Sequence, residues 1–264
     1  MVDPTILERH IQSLTDPSMG LPGFPPDRVQ MEYVGSFGEA SLREIWPFFV
    51  KATQSVSLDS RSQILDFGVG WGRIARLFHD SPGLMLLADI SDEALSLVKA
   101  HGVRGIPIKV QEGSPIPIDP GSVSLVYSFS VFSHISEPSA VFWINEIHRI
   151  LHPGGAFLFT AQSLRFLNLV RACKFTPNPT DIERKIGTYI DNPELAIQQF
   201  NEGKHVFTGG GGTDSSGLST SDYGWAAIPR PWLESVIAGK FVIEELLDQP
   251  ENPTAQDIYL LRRL

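Results

Sequence analysis

The chain has 264 residues, 42% of them hydrophobic and 19% charged, which excludes a disordered, collagen-like or coiled-coil protein and points to a soluble globular one. That length suits one large domain or one domain with appendages. Lys and Arg number 21 against 30 Asp and Glu, a formal net charge of −9, so a general binder of phosphate backbones is disfavoured and no nucleic-acid partner is expected.

Asp3 as N-cap and Pro4 at the first helical position open a helix that runs to about Leu14. A proline-rich crossing follows. From Ser36 to Thr53 the apolar positions Leu42, Ile45, Trp46, Phe49 and Val50 recur at helical spacing, with Pro47 expected to kink or break the helix. Strand and helix then alternate: Ser62 to Phe67 reads as a strand, Trp71 to His79 as a helix, and the apolar run Leu84 to Ile90 as a buried parallel strand. Ser91 caps a helix with Asp92 and Glu93 in its first turn and Gly102 beyond its end. Ile106 to Val110 and Val123 to Phe129 are further strands, Pro138 to Leu151 an amphipathic helix, and Ala156 to Thr160 a fifth strand after Pro153-Gly154-Gly155. This order predicts an open parallel sheet with helices on both faces and a ligand at the carboxyl ends of its strands.

Gln162 to Asp222 carries no strand signal and is too long for a simple connection, so it is expected to be an inserted lid. Within it Asn192-Pro193 opens a helix, while Gly209 to Gly212 and the residues to Gly217 read as mobile. Pro231 to Ala238 is a helix, and Phe241 to Leu247 and Asp257 to Arg262 are strands joined by a hairpin-like loop over Gln249 to Thr254. The expected organisation is an N-terminal helical cover over 1–61, a nucleoside-binding core over 62–161, a substrate insertion over 162–222, and completion of the sheet over 223–264.

The single cysteine, Cys173, excludes an internal disulfide or a cysteine-built zinc site and reads as an idle thiol; no metal is expected. No apolar run approaches 18 residues, and Met1-Val2-Asp3-Pro4 lacks a signal-peptide start, so the expected location is the cytoplasm and no membrane partner is expected.

The chemistry concentrates in Ile64-Leu65-Asp66-Phe67-Gly68-Val69-Gly70-Trp71-Gly72-Arg73, a strand, a glycine-rich turn and then a helix. Glycines at 68, 70 and 72 let backbone turn sharply and approach a ligand. The dinucleotide fingerprint needs glycine where Arg73 stands, which disfavours NAD. Asp89 follows 17 residues after Gly72, near the spacing of roughly 20 at which a carboxylate grips ribose hydroxyls.

With Ala88-Asp89-Ile90-Ser91, the run from Ile116 through Asp119-Pro120-Gly121 to Ser128, and Glu146-Ile147-His148-Arg149-Ile150-Leu151-His152-Pro153-Gly154-Gly155, the chain resembles the class I S-adenosylmethionine-dependent methyltransferases, of the type 11 and type 25 kind, over about Ser62 to Thr160. Two positions depart from the family pattern: Ser124, where an aspartate is frequent, and Val69, where a cysteine or serine is. The resemblance implies an α/β, Rossmann-like, doubly wound sheet of seven mostly parallel strands with a C-terminal antiparallel strand, an N-terminal helical cover and a lid inserted before the last two strands. It implies S-adenosylmethionine as cofactor and S-adenosylhomocysteine as product. Gly68, Gly70 and Gly72 would then meet the methionine and ribose parts, Asp66 the ammonium end, and Asp89 the ribose hydroxyls. Glu112 and Gly113 would meet the adenine, Ser128 and Phe129 the methionine arm, and Trp71 and Ile90 would also line the cofactor site.

The function implied is in-line methyl transfer to an oxygen or nitrogen of a small-molecule acceptor, such as a sugar or natural-product intermediate. His134, just past the fourth strand, is the first candidate for a general base, with His205 second. His10, His79, His101, His148 and His152 read as structural or surface residues. Tyr33, Tyr223, Trp225 and Arg230 are candidate substrate contacts, with ordinary packing the alternative for each. Two other readings stay open at this point: a non-catalytic module that binds the nucleoside, and an NAD-dependent oxidoreductase on a related sheet.

Overall fold

The computed structural model describes residues 3–210, 221–248 and 256–264. It divides into two compact units, one of Met1–Ser128 with Arg149–Ala156 and the other of Phe129–His148 with Phe157–Leu264.

In the first unit, α1 (Thr5–Gln12) is followed by α2 (Asp27–Val34) and α3 (Gly38–Gln54). The proline-rich crossing therefore ends in a helix of its own. Pro47 neither breaks nor ends α3. Pro47 and Arg43, whose carbonyl loses its helical donor, are both exposed, while Leu42, Ile45, Phe48, Phe49 and Ala52 bury the opposite stripe.

Then come β1 (Gln63–Phe67), β2 (Leu84–Asp89), α4 (Asp92–Ala100), β3 (Ile106–Lys109) and β4 (Val123–Ser128). The helix expected over 71–79 is instead a turn and a short 3-10 segment at Ala75–Phe78. The chain continues through α5 (Glu137–Ile150) into β5 (Leu151–Ala161), which begins five residues earlier than Ala156 and takes in Pro153-Gly154-Gly155.

In the second unit the insertion is built of α6 (Leu164–Phe175), α7 (Asp181–Ile186) and α8 (Pro193–Asn201), followed by β6 (Val206–Gly209). That strand corrects the reading of Gln162 to Asp222 as strand-free: it pairs antiparallel with β7 (Gly224–Ala227). Phe166, Leu167, Val170, Ile190, Ala196, Val206 and Ala227 form the buried cluster of this region. The chain closes with α9 (Arg230–Ile237), β8 (Phe241–Leu247) and β9 (Asp257–Arg263). The stretch expected to be mobile lies, over 211–220, outside the described residues, as does the loop over 249–255.

The large sheet has the order β3-β2-β1-β4-β5-β9-β8. β1 pairs parallel with β2 and β4, β2 pairs parallel with β3, and β8 and β9 are antiparallel. This is the α/β, doubly wound, mostly parallel seven-stranded architecture that the sequence implies. No helix among the described residues is long and apolar enough to cross a membrane.

Candidate active site

The register of β1 against β2 sets Phe67 beside Ala88, so the turn after β1 lies at the carboxyl end of β2. The amides of Gly68 and Val69 both donate to the Ala88 carbonyl, at 2.9 and 3.0 Å. Gly68, Gly70 and Gly72 all have left-handed φ, at 86°, 53° and 85°, a region that penalises residues with a Cβ. Gly70 N–H donates to Oδ2 of Asp89 at 2.9 Å, and Ser91 N–H donates to Oδ1 at 2.8 Å. Burial raises the Asp89 carboxyl, against the pull of these amides. Each carboxylate oxygen keeps acceptor capacity beyond the bond shown, which suits the paired hydroxyls of a ribose. Beside it, Val110 N–H donates to the Asp89 carbonyl, and Glu112 and Gly113 form the turn after β3. Gly113, with φ 72°, leaves open space where a side chain would project.

The three glycines differ in what they face. A methyl group on Gly72 would lie 2.8 Å from Val103 Cγ2 and 3.2 Å from Val98 Cγ1, so this glycine permits close packing of the protein on itself. One on Gly70 would meet the ring of Tyr33 at 3.4 Å. Tyr33 is thus placed against the glycine turn. Ile90, directly after Asp89, is half-buried.

Other predicted cofactor residues point inward. Asp66 is buried against the Tyr127 phenol and the Ala75 amide, and burial pushes its carboxyl up to about 8. Trp71 is buried beside Phe24, at a ring distance of 6.1 Å. Ser128 is fully buried and its hydroxyl donates to the Phe67 carbonyl at 2.9 Å. Arg73 pairs with Glu44 at 2.8 Å and donates to the Ser41 carbonyl, both on α3.

The second unit brings His134, Tyr223 and Trp225 together. Tyr223 stacks on the His134 ring at 5.2 Å and Trp225 lies 4.7 Å from it. His134 Nδ1–H donates to the Gly224 carbonyl at 2.8 Å, which fixes the tautomer and leaves Nε2 with the lone pair. Burial lowers its pKa, so the imidazole is neutral at pH 7. Trp225 also stacks on Tyr189 at 3.9 Å and on Phe166 at 5.4 Å, which ties it into the helical insertion. Arg230 is exposed and pairs with Glu234 one helical turn on.

One group is invisible to sequence spacing. Ser130, just past Phe129, has φ 62°, a strained conformation for serine. Its amide donates to Thr160 Oγ1 at 2.8 Å, Thr160 donates to Gln256 Oε1 at 2.6 Å, and Gln256 Nε2 donates to Ser130 Oγ at 2.8 Å. The three residues are 30, 96 and 126 positions apart, so only the fold assembles them.

The sheet order is that of the class I, S-adenosylmethionine-dependent methyltransferase fold. Residues 65–159 match the family model described as a methyltransferase domain. No curated protein matches the chain. Among solved structures it is similar to the PH0226 protein from Pyrococcus horikoshii OT3, at 15% identity and TM-score 0.58 over 92% of this chain and 100% of that one. It is similar to an S-adenosylmethionine-dependent methyltransferase from Mesorhizobium loti, at 17% identity and TM-score 0.54 over 83% and 98%. It is also similar to the 1,6-didemethyltoxoflavin-N1-methyltransferase of Burkholderia thailandensis, whose structure holds S-adenosylhomocysteine, at 14% identity and TM-score 0.53 over 100% and 91%.

Proposed function

We propose that this chain is an S-adenosylmethionine-dependent methyltransferase that acts on an oxygen or nitrogen of a small-molecule acceptor. The observation that carries the cofactor half of this reading is the Asp89 carboxylate, held by the Gly70 and Ser91 amides with acceptor capacity left for a diol. Bound there, S-adenosylmethionine supplies an activated sulfonium methyl group. Asp89 would accept from its ribose hydroxyls, the Gly68 to Gly72 backbone would lie along the ribose and methionine arm, and Glu112 with Gly113 would meet the adenine.

The acceptor half rests on charge and on one base. A chain of net charge −9 without basic runs is a poor host for a nucleic-acid acceptor. His134, neutral and with its Nδ1 proton committed to Gly224, can take a proton at Nε2 from a hydroxyl or ammonium acceptor. Tyr223, stacked on that ring, and Trp225, tilted against it, hold it in place.

The test is transfer of a labelled methyl group to a panel of small alcohols, phenols, amines and N-heterocycles, with tRNA and a protein mixture beside them. Label in a small-molecule product supports the reading; label only in tRNA or protein overturns it. With a productive acceptor, His134→Gln should lower kcat by about 10²–10⁴ with little change in cofactor affinity. A kcat within twofold of wild type removes His134 from the reaction.

A further inference from the structure

Tyr33 occupies a place that its position in the sequence gives no reason to expect. It lies on α2, before the first strand, yet its ring packs where a side chain on Gly70 would be, 3.4 Å from that projected position. Its hydroxyl stands near Ser91 and the charges of Asp89 and Glu93. The ring therefore packs against Gly70, whose amide holds Asp89 Oδ2, and the hydroxyl stands near Ser91, whose amide holds Oδ1.

The segment carrying Tyr33 is fixed in place from both sides. Gln30, buried on the same helix, donates through Nε2 to the Pro25 carbonyl at 2.8 Å and accepts at Oε1 from Gly38 N–H at 3.0 Å. Upstream, the fully buried Arg76 donates to the carbonyls of Pro22 and Gly23, with its guanidinium 3.3 Å above the Phe24 ring. Gly23 N–H in turn donates to the His101 carbonyl at 2.8 Å. Such anchoring is more than a solvent-facing cover needs, and it delivers a half-buried aromatic ring with a polar tip to one edge of the Asp89 carboxylate.

We infer that Tyr33 is a further cofactor-contacting residue, its ring roofing the Gly70 peptide and its hydroxyl joining Asp89 and Ser91 at the ribose edge of the bound S-adenosyl ligand. The inference rests on the reading of the glycine turn and Asp89 as the cofactor site, and it moves Tyr33 from the acceptor to the cofactor. A phenol has both donor and acceptor capacity, and a ribose hydroxyl can use it.

Calorimetric titration of wild type, Tyr33→Phe and Tyr33→Ala with S-adenosylhomocysteine tests it, beside hydrogen exchange of residues 27–34 with and without that ligand. Loss of the hydroxyl should weaken binding about three- to tenfold, and loss of the ring more than tenfold. The melting temperature of each unliganded variant should stay close to wild type, and the ligand should slow exchange over 27–34 in the wild type. Wild-type affinity in both variants, with exchange over 27–34 unmoved by ligand, overturns the assignment while leaving the cofactor site standing. A wild type that does not bind S-adenosylhomocysteine overturns the cofactor site itself, and Tyr33's role with it. Should Tyr33→Ala fail to fold, Tyr33→Phe and the exchange measurement still decide.

Discussion

Three buried side chains, His205, His10 and Asp66, carry protonation costs, the histidines of one sign and the aspartate of the other. His205 is 8% exposed, neither ring nitrogen has a partner among the described residues, and burial lowers its pKa to about 4. An unfolded histidine titrates near 6.5, so between pH 6.5 and 4 the unfolded chain takes up a proton that the folded chain refuses. Stability contributed by neutral His205 is present above pH 6.5 and is lost as pH falls toward 4. His10, buried beside Arg76 and lowered to about 3, pulls the same way. Asp66 does the reverse: with its carboxyl up at about 8, folding takes up a proton between about pH 4 and 8, and stability is lost as pH rises through that window. In chemical denaturation from pH 4 to 9, His205→Leu should gain on wild type as pH falls below 6.5, by up to about 3 kcal/mol. Asp66→Asn should gain as pH rises from 4 to 8. Parallel profiles for variant and wild type would contradict either assignment. Asp89 is legible at this scale because spacing after the glycines places it. The inward turn of Asp66 and the carbonyl partner of His134 are not, since both depend on residues 61 and 90 positions away, Tyr127 and Gly224.

Among the elements, the glycine turn shows how one motif divides its work. Gly72→Ala combines a left-handed φ of 85° with a contact 2.8 Å from Val103 and should cost on the order of 2–4 kcal/mol. Gly113→Ala, at φ 72° with open space around it, should cost only the backbone term, about 1 kcal/mol, and its effect should fall on cofactor binding instead. Equal melting temperatures for the two variants would contradict this division. Arg76, lowered to about 9 by burial, holds the proline-rich crossing through carbonyls and the Phe24 ring, and Arg76→Met leaves those carbonyls without their donor. That should cost about 1–3 kcal/mol for each carbonyl that water cannot reach, read by denaturant titration. The sequence conceals α2 because Pro22, Pro25 and Pro26 dominate the window, although Pro26 only precedes a helix that begins at Asp27. It conceals β6 because four residues are too few for a periodic signal, and their pairing with β7 is a long-range event.

For the whole molecule, the alternation of apolar strand and amphipathic helix made the sheet legible, because parallel strands buried on both faces read as continuous apolar runs. β8 appears at its predicted limits, and β9 is one residue longer than expected. The strand order, and with it the setting of the turn after β1 beside Asp89, follows from packing that no single window of sequence contains. The central claim is that this turn and Asp89 hold S-adenosylmethionine. Its most direct test is calorimetric titration of wild type and Asp89→Ala with S-adenosylhomocysteine, and of wild type with NAD. Wild type should bind S-adenosylhomocysteine in preference to NAD, and Asp89→Ala should lose roughly 1.5–3 kcal/mol of that affinity, about 10- to 150-fold, while melting as a folded protein. Binding of NAD alone, or an Asp89→Ala affinity equal to wild type, would contradict the account.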